Sequence, residues 1–402
     1  MKGAIAVVAL SVAIGAGAGV LASNDAPSTA VETKSPDESV QPGTSNPDAT
    51  KSPTTTTSPT TTTIARAASD TTSPERIDRI TGDLSPKSVV ASGAGLVFAQ
   101  NMMYTHTVSV FGADRAAVAT ISDSVDLAEF GIDGHPGVSQ GAPVEAAFTS
   151  DGRFAYVSNY SMYGENWGPE GDDECIPDDG YDDSFVYRID TSTFEIDQVI
   201  GVGSVPKYVA VTPDDRLTLV TNWCTFDLSV IDNATAKEVR RVPLGRHPRG
   251  IVVTPDSSTA YVAVMGDDVI TEVDLGSYDT ETVVWPGDGP RHIVISPDGS
   301  TLYATLNGAG QVVRIDLATG EITHTAATGS RPRTMAISPD GTALYVVNYE
   351  SSTMTKLRAS DLGELAEVET DYRPIGITYE PTTATVWVAC YGGSILVFDD
   401  AT

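Results

Sequence analysis

The chain has 402 residues, and 54 acidic side chains against 24 basic ones give a formal net charge of -30. A nucleic-acid-binding surface must be basic to contact the phosphate backbone, so this charge argues against DNA or RNA as a partner. Three cysteines exclude a disulfide-dense scaffold, and a hydrophobic content of 41% is enough for a buried core in part of the chain.

The first 22 residues predict a secretory signal peptide. Lys2 precedes an apolar run over residues 3–22 that ends in Val20-Leu21-Ala22. A short positive start, an apolar stretch and a small-residue end are typical of such signals. An uncleaved membrane anchor is the alternative, because about 20 apolar residues can span a bilayer. We therefore expect a secreted or cell-surface protein that touches a membrane only if this anchor is retained.

Residues 23–73 predict a disordered stalk. Ser, Thr and Pro supply 29 of these 51 positions, and no aromatic residue is present. Such a composition buries too little apolar surface to offset the entropy lost on ordering. Its expected role is to hold the following domain away from a membrane or wall.

From residue 74 onward the chain repeats. Five prolines recur at a spacing of 42 residues: Pro206, Pro248, Pro290, Pro332 and Pro374. Each is followed by an apolar run and a tight-turn sequence, such as Ser296-Pro297-Asp298-Gly299, and then by further short runs rich in β-branched residues. Four short strands per repeat predict one blade of a β-propeller.

The repeat count predicts an all-β, seven-bladed propeller over residues 74–402. Pro86 and Pro143 mark two more blades, with about 15 extra residues near 126–140 and about 21 between Asn159 and Asp190. The last blade lacks a fourth strand, whereas residues 75–80 resemble the fourth strands of other blades. We therefore expect this N-terminal strand to complete the last blade, which closes the ring and removes two sheet edges.

The second strands of several blades carry a family signature. Tyr156-Val157-Ser158-Asn159 and Tyr345-Val346-Val347-Asn348 are variants of Tyr-Val-Thr-Asn. With the Ser-Pro-Asp-Gly turns, they make residues 74–402 resemble the YVTN-repeat β-propeller family (YncE-like), which is distantly similar to lactonase-type propellers. Three blades depart from the signature, with Val264, Leu306 and Cys390 in place of Asn. The resemblance implies the fold and carries over no catalytic residue.

The residue after each repeat proline is usually cationic. In chain order these residues are Lys87, Val144, Lys207, Arg249, Arg291, Arg333 and Ile375. Because this position begins the innermost strand, the five cations, with His247 and His292 beside them, predict a ligand-binding ring for an anion at the channel mouth. The alternative is a structural residue copied by duplication and paired with an acid of the neighbouring blade.

The insertion in the second blade is strongly acidic. Eight of the 14 residues from 170 to 183 are Asp or Glu. This density favours Ca²⁺, with Asp172, Asp173, Asp178 and Asp179 as speculative ligands, although the spacing matches no EF-hand loop. A solvated acidic loop is the alternative, and no other cofactor is expected.

Two of the three cysteines are predicted to form a disulfide. Cys175 lies in the acidic insertion, and Cys224 ends the second strand of the adjacent blade, on the same face. A secreted protein permits such a bridge. Cys390 is expected to be a small buried residue.

The sequence favours a non-enzymatic binding module, expected to be monomeric, whose partner is an anionic small molecule or an acidic protein segment. A lactonase-type hydrolase that stabilises an oxyanion with the Arg and His cluster is one alternative. A structural surface protein that mediates adhesion is another. There is no His-x-x-x-His motif, and whether the protein is an enzyme stays open.

Overall fold

The computed structural model describes residues 67–401. Their strands form seven sheets, each one blade of an all-β propeller, as the repeat count predicts. The predicted signal peptide and most of the predicted stalk lie outside the described residues. Within residues 67–401, no helix is long and apolar enough to cross a membrane.

The strands are numbered in chain order, and β1 spans Glu75–Thr81. Blade one contains β2 (Ser88–Ala91), β3 (Leu96–Asn101), β4 (Thr107–Gly112) and β5 (Ala117–Ser122). Blade two contains β6 (Ser124–Asp126), β7 (Val138–Phe148), β8 (Phe154–Tyr163), β9 (Phe185–Asp190) and β10 (Glu195–Gly201). Blade three contains β11 (Pro206–Val211), β12 (Leu217–Asn222), β13 (Asp227–Asp232) and β14 (Lys237–Pro243).

The remaining blades follow the same order. Blade four contains β15 (Pro248–Val253), β16 (Thr259–Val264), β17 (Val269–Asp274) and β18 (Thr280–Val284). Blade five contains β19 (Pro290–Ile295), β20 (Thr301–Leu306), β21 (Gln311–Asp316) and β22 (Glu321–Ala327). Blade six contains β23 (Pro332–Ile337), β24 (Ala343–Asn348), β25 (Thr353–Arg358) and β26 (Glu364–Glu369). Blade seven contains β27 (Pro374–Glu380), β28 (Thr385–Cys390), β29 (Ser394–Asp399) and β1. Short 3-10 helices span Ser69–Thr71, Leu127–Phe130, Pro177–Asp179 and Met265–Asp267.

The blades close into a ring. Their innermost strands contact one another in the cycle β2, β7, β11, β15, β19, β23, β27 and back to β2. The N-terminal strand β1 pairs antiparallel with β29, from Glu75 opposite Asp399 to Thr81 opposite Ser394. The predicted closure is therefore confirmed, and β1 covers the edge of β29 that would otherwise be unpaired.

The signature asparagines join neighbouring strands inside the blades. In blade six, Asn348 Nδ2 donates to Thr353 Oγ1 at 3.0 Å and to Thr355 Oγ1 at 2.8 Å. These bonds satisfy the buried amide nitrogen of Asn348, which would otherwise be costly, whereas its Oδ1 has no hydrogen-bond partner among the described residues. In blade two the third strand begins instead with Phe185, and the amide of Asn159 has no hydrogen-bond partner.

The two insertions meet on one face. The segment near 126–140, expected to be a loop, instead adds β6 as a fifth strand to blade two and lengthens β7. The extended parts of β7 and β8 pair, with Gln140 opposite Tyr163. Trp167 Nε1 of the second insertion donates to Ser139 Oγ at 3.0 Å. Extra residues on adjacent blades therefore build up the same end of the propeller.

The last residues of the predicted stalk pack against the propeller. The backbone N–H of Ser69 donates to Asp340 Oδ2 at 2.8 Å. Lys356 Nζ donates to the Thr72 carbonyl at 2.8 Å and contacts Asp400 Oδ1 at 2.7 Å, and both charged side chains are 0% exposed. Residues 69–72 thus belong structurally to the domain whose start the sequence places at residue 74.

Candidate functional site

In six of the seven blades, the pairing register of the innermost strand shifts just after the repeat proline, which marks a β-bulge. In blade three, Pro206 lies opposite Asn222 and Tyr208 lies opposite Thr221, so Lys207 is left without a cross-strand partner. The same shift separates Pro290 from His292 in blade five. Because a bulge re-aims the extra residue, it directs Lys207, Arg249, Arg291 and Arg333 to one cavity, which Lys87 of blade one also lines.

The five cations line one cavity. Lys87, Lys207, Arg249, Arg291 and Arg333 surround about 370 Å³ together with Asp173, Glu174, Trp223, His247, Met265, Gly266 and Asn307. Lys207 is only 5% exposed and Arg291 only 8%. The predicted ring residues and His247 are thus brought together, in a largely dehydrated setting where their charges interact strongly.

Acidic partners are scarce around this cavity. Lys207 Nζ lies 3.0 Å from Asp173 Oδ1. Among the described residues, the other four cations, Lys87, Arg249, Arg291 and Arg333, form no ion pair. The alternative interpretation paired each cation with an acid of a neighbouring blade. These four cations have no such partner among the described residues.

Burial and mutual repulsion disfavour the charged forms of these groups. Burial, assisted by the neighbouring arginines, lowers the pKa of Lys207 to about 7, against the opposing effect of Asp173. Burial and Arg333 lower the pKa of Arg249 to about 10. The pKa of Arg291 is lowered by burial and by Arg249 and Arg333. A bound anion would oppose this repulsion and favour the charged forms of these groups.

Lys207 and Arg333 form cation–π contacts with aromatic rings. Lys207 Nζ lies 4.3 Å from the centre of the Tyr160 ring, and the Arg333 guanidinium carbon lies 3.6 Å from that of Tyr349. Such contacts orient a cation without neutralising it. Arg333 Nε is buried and has no hydrogen-bond partner, so a donor remains available in the cavity wall.

The acidic insertion is fixed over one side of the cavity. Cys175 and Cys224 form a disulfide with their Cα atoms 5.3 Å apart. Trp223 Nε1 donates to the Asp173 carbonyl at 3.2 Å, and His247 Nε2 contacts the Cys175 carbonyl at 3.0 Å. These contacts hold the Asp173 carboxylate beside Lys207, with the Asp173 side chain 79% exposed.

The structure does not assemble the four predicted calcium ligands. Asp172 Oδ1 accepts the Glu174 N–H at 2.9 Å, Asp179 Oδ2 accepts the Ile176 N–H at 2.9 Å, and Asp173 pairs with Lys207. Asp178 lies in the short 3-10 helix Pro177–Asp179. Within residues 67–401, no three His, Cys, Asp or Glu side chains are grouped to hold a metal. Asp172 and Asp179 therefore bind the loop backbone and Asp173 binds Lys207, and calcium binding stays a prediction.

His292 lies in a separate chamber rather than in the ring. This chamber of about 230 Å³ is lined by residues of the inner strands, including Glu145, Tyr208 and His292. Burial raises the pKa of Glu145 to about 7, against the opposing effect of Lys87. Sequence reasoning selected the residue after each repeat proline and the nearby histidines; the second position after the proline, which His292 occupies, would also have identified Glu145 and Tyr208.

Cys390 lies away from both cavities. It is 0% exposed, and burial raises the pKa of its thiol to about 12. The thiol therefore stays protonated and packed inside blade seven.

Comparison with known proteins confirms the family resemblance. A family model described as a YNCE-like β-propeller matches residues 179–358. A search of curated proteins gives no match.

Two solved structures are similar in fold. A chain of a mitotic checkpoint complex is 12% identical with a TM-score of 0.64, over 90% of this chain and 98% of that one. A chain of Kuenenia stuttgartiensis hydrazine synthase is 18% identical with a TM-score of 0.58, over 79% of this chain and 96% of that one. At these identities the likeness concerns the fold alone.

Proposed function

We propose that this YNCE-like β-propeller is a binding module that holds a small anion in the cationic cavity at the mouth of its channel. The observation that carries the proposal is the imbalance of charge. Five cations surround one cavity, and four of them have no ion pair among the described residues. Arginine guanidinium groups present fixed forks of donors that suit carboxylate and phosphate.

The electrostatics favour a ligand over a purely structural ring. Like charges held close together and partly dehydrated repel one another, and this repulsion costs stability unless a counter-charge is bound. Asp173 supplies one counter-charge, to Lys207. The other four cations are best compensated by an anion from solution.

The cavity favours a small molecule over an acidic protein segment. Its volume is about 370 Å³, which suits a small ligand. Its rim carries the acidic insertion, with eight acids between residues 170 and 183. These carboxylates and a net charge of -30 would repel an acidic protein surface before contact.

Isothermal titration calorimetry tests this function. Inorganic phosphate and succinate are titrated into the wild-type protein and into Arg291→Gln. The matched control is Arg246→Gln. Arg246 lies outside the ring, is 61% exposed and pairs with Asp267. We expect one anion per chain, about tenfold weaker binding in Arg291→Gln from the loss of a charge-assisted contact, and no change in Arg246→Gln. Absence of binding to the wild type, or equal binding in both variants, would contradict the proposal.

A hydrolase remains the second candidate because of Glu145. Its pKa of about 7 suits a general base at neutral pH. The histidines are less suited, because His247 Nε2 contacts the Cys175 carbonyl and His292 is bonded at both ring nitrogens. A lactone panel assayed with wild type and Glu145→Gln decides this point: turnover lost in the variant supports a hydrolase, and absence of turnover removes this candidate.

The proposal includes a location outside the cytoplasm. The Cys175–Cys224 disulfide supports it, since such bonds persist mainly in oxidising compartments. The N-terminal signal predicted from the sequence points the same way. Mass spectrometry of the protein from its native source tests it; a chain that retains Met1 and is recovered from the cytoplasm would contradict it.

A further inference from the structure

The chamber that contains His292 adjoins the cationic cavity, because the residues that line the two cavities alternate along the inner strands. Each ring cation is followed directly by a residue of the inner strand, and in blades one, three, five and six those residues are Ser88, Tyr208, His292 and Thr334. Glu145 occupies the same register in blade two. The polar groups of the chamber therefore lie one residue along the strand from the ring cations.

The hydrogen bonds of His292 define its tautomer. Its Nδ1 accepts the backbone N–H of Met335 at 3.3 Å, so Nδ1 carries no hydrogen. Burial, with Arg249 and Arg291, lowers the pKa of His292 to about 3, so the ring is neutral. The single ring hydrogen is consequently on Nε2, which donates to the Tyr208 hydroxyl at 2.9 Å.

This arrangement leaves the Tyr208 hydroxyl hydrogen available. Because the oxygen accepts from His292 Nε2, its own hydrogen points to another partner. Burial and the nearby Glu145 raise the pKa of Tyr208, so the hydroxyl stays protonated and can donate. Among the described residues, no acceptor is recorded for this hydrogen.

Glu145 supplies the complementary group. Its Oε1 accepts the backbone N–H of Ala146 at 3.4 Å, and the Ser88 hydroxyl also interacts with the carboxyl group while donating to Gln100 Oε1. A carboxyl group has about four acceptor positions, so capacity for a further donor remains. The chamber thus presents a hydroxyl donor and a carboxyl acceptor on neighbouring inner strands. An alcohol group both donates and accepts one hydrogen bond, so it satisfies both partners, whereas a methylene group would leave both unpaired.

We infer that the channel binds a small hydroxylated dianion, with its charged groups in the cationic cavity and a hydroxyl between Tyr208 and Glu145. This inference rests on the proposed anion-binding function and specifies its ligand class. Two charges are favoured because four ring cations lack an ion pair. The hydroxyl is favoured because buried polar groups are costly when they are left unpaired.

Tartrate and succinate form a matched pair of probes. Both are four-carbon dicarboxylates, and tartrate differs by two hydroxyl groups. Inorganic phosphate serves as a probe of the ring alone. Calorimetry with the three compounds is performed on wild type, Tyr208→Phe and Glu145→Gln, with Arg291→Gln as the ring variant.

We expect the wild type to bind tartrate about tenfold more tightly than succinate, the difference that one or two satisfied hydrogen bonds supply. Tyr208→Phe and Glu145→Gln should each lower this ratio to about threefold or less. Phosphate binding should persist in Tyr208→Phe, which shows that the ring is intact. Glu145→Gln provides an independent variant if Tyr208→Phe fails to fold.

The outcomes separate this inference from the proposed function. Equal affinity for tartrate and succinate, with binding lost in Arg291→Gln, would overturn the hydroxylated ligand and leave anion binding intact. A tartrate preference that survives both chamber variants would also overturn it, because the hydroxyls would then be recognised elsewhere. If wild type binds none of the three anions, both proposals fail.

Discussion

The Asp173 carboxylate lies 3.0 Å from the Lys207 ammonium group, so the second-blade insertion places one acid in the cationic cavity. Lys207 and the other ring cations near it lower the pKa of Asp173 to about 2. The Asp173 side chain therefore occupies part of the site as an internal anion. An incoming ligand must share these cations with it.

Replacing Asp173 by Asn should strengthen anion binding. The change keeps the size of the side chain and removes the competing charge. Because the Asp173 carboxylate is 79% exposed, solvent limits the contribution of this ion pair to about 1 kcal/mol, so phosphate affinity should increase about fivefold. Calorimetry measures this increase, with Asp178→Asn as the control on the same insertion. Unchanged or weaker binding in Asp173→Asn would show that Asp173 does not compete with the ligand.

Anion affinity should fall as the pH rises through about 7. Lys207 and Glu145 both have a pKa of about 7, lowered and raised respectively by burial. Above that pH Lys207 loses a positive charge and Glu145 gains a negative one, and both changes disfavour an anion. Succinate is a suitable probe because it is fully ionised between pH 7 and 9. An affinity that is constant over that range, or that rises, would contradict these assignments.

The disulfide and the buried thiol predict a definite labelling pattern. Peptide mapping without reduction should recover Cys175 joined to Cys224. Cys390 should resist alkylation in the folded protein and react after denaturation, because it is 0% exposed and burial raises its pKa to about 12. Recovery of Cys390 in the bridge, or its rapid labelling in the native protein, would disprove this pattern.

Residues 69–72, which pack against the propeller, should contribute more to thermal stability than the rest of the predicted stalk. Deleting residues 23–66 should leave the melting temperature unchanged, since their composition offers little to bury. Deleting residues 23–73 also removes Thr72, which accepts from the fully buried Lys356. This deletion should lower the melting temperature, because the buried ion pair then loses a hydrogen-bond partner. Equal melting temperatures for the two deletion variants would refute a structural role for residues 69–72.

The repeat architecture could be predicted from the sequence because every blade contains the same local signals. Pro, Asp and Gly fix the turns at regular intervals, and short β-branched runs fill the strands between them. Strand β1 was recognisable because it resembles the outer strands of other blades. The fifth strand β6 was not, because a three-residue strand in a non-repeating insertion has no periodic pattern.

The site was only partly predictable, for a physical reason. The register of Lys207 and its counterparts follows from the repeat, so their convergence could be inferred. The pairing of Asp173 with Lys207 depends on the path of the insertion, which no repeat dictates. The separation of His292 from the ring arises because successive residues at a bulge occupy different levels of the channel.

The melting temperature measured against anion concentration tests the central claim most directly. Wild type and Arg291→Gln are compared in increasing succinate at constant ionic strength, with sodium chloride replaced as succinate is added. The account predicts that the melting temperature of the wild type rises with succinate concentration, as mass action requires. Without succinate, Arg291→Gln should be at least as stable as the wild type, and its melting temperature should rise little or not at all when succinate is added. A variant that melts lower than wild type in every buffer, together with a wild type that does not respond to succinate, would show that the ring is structural and contradict the account.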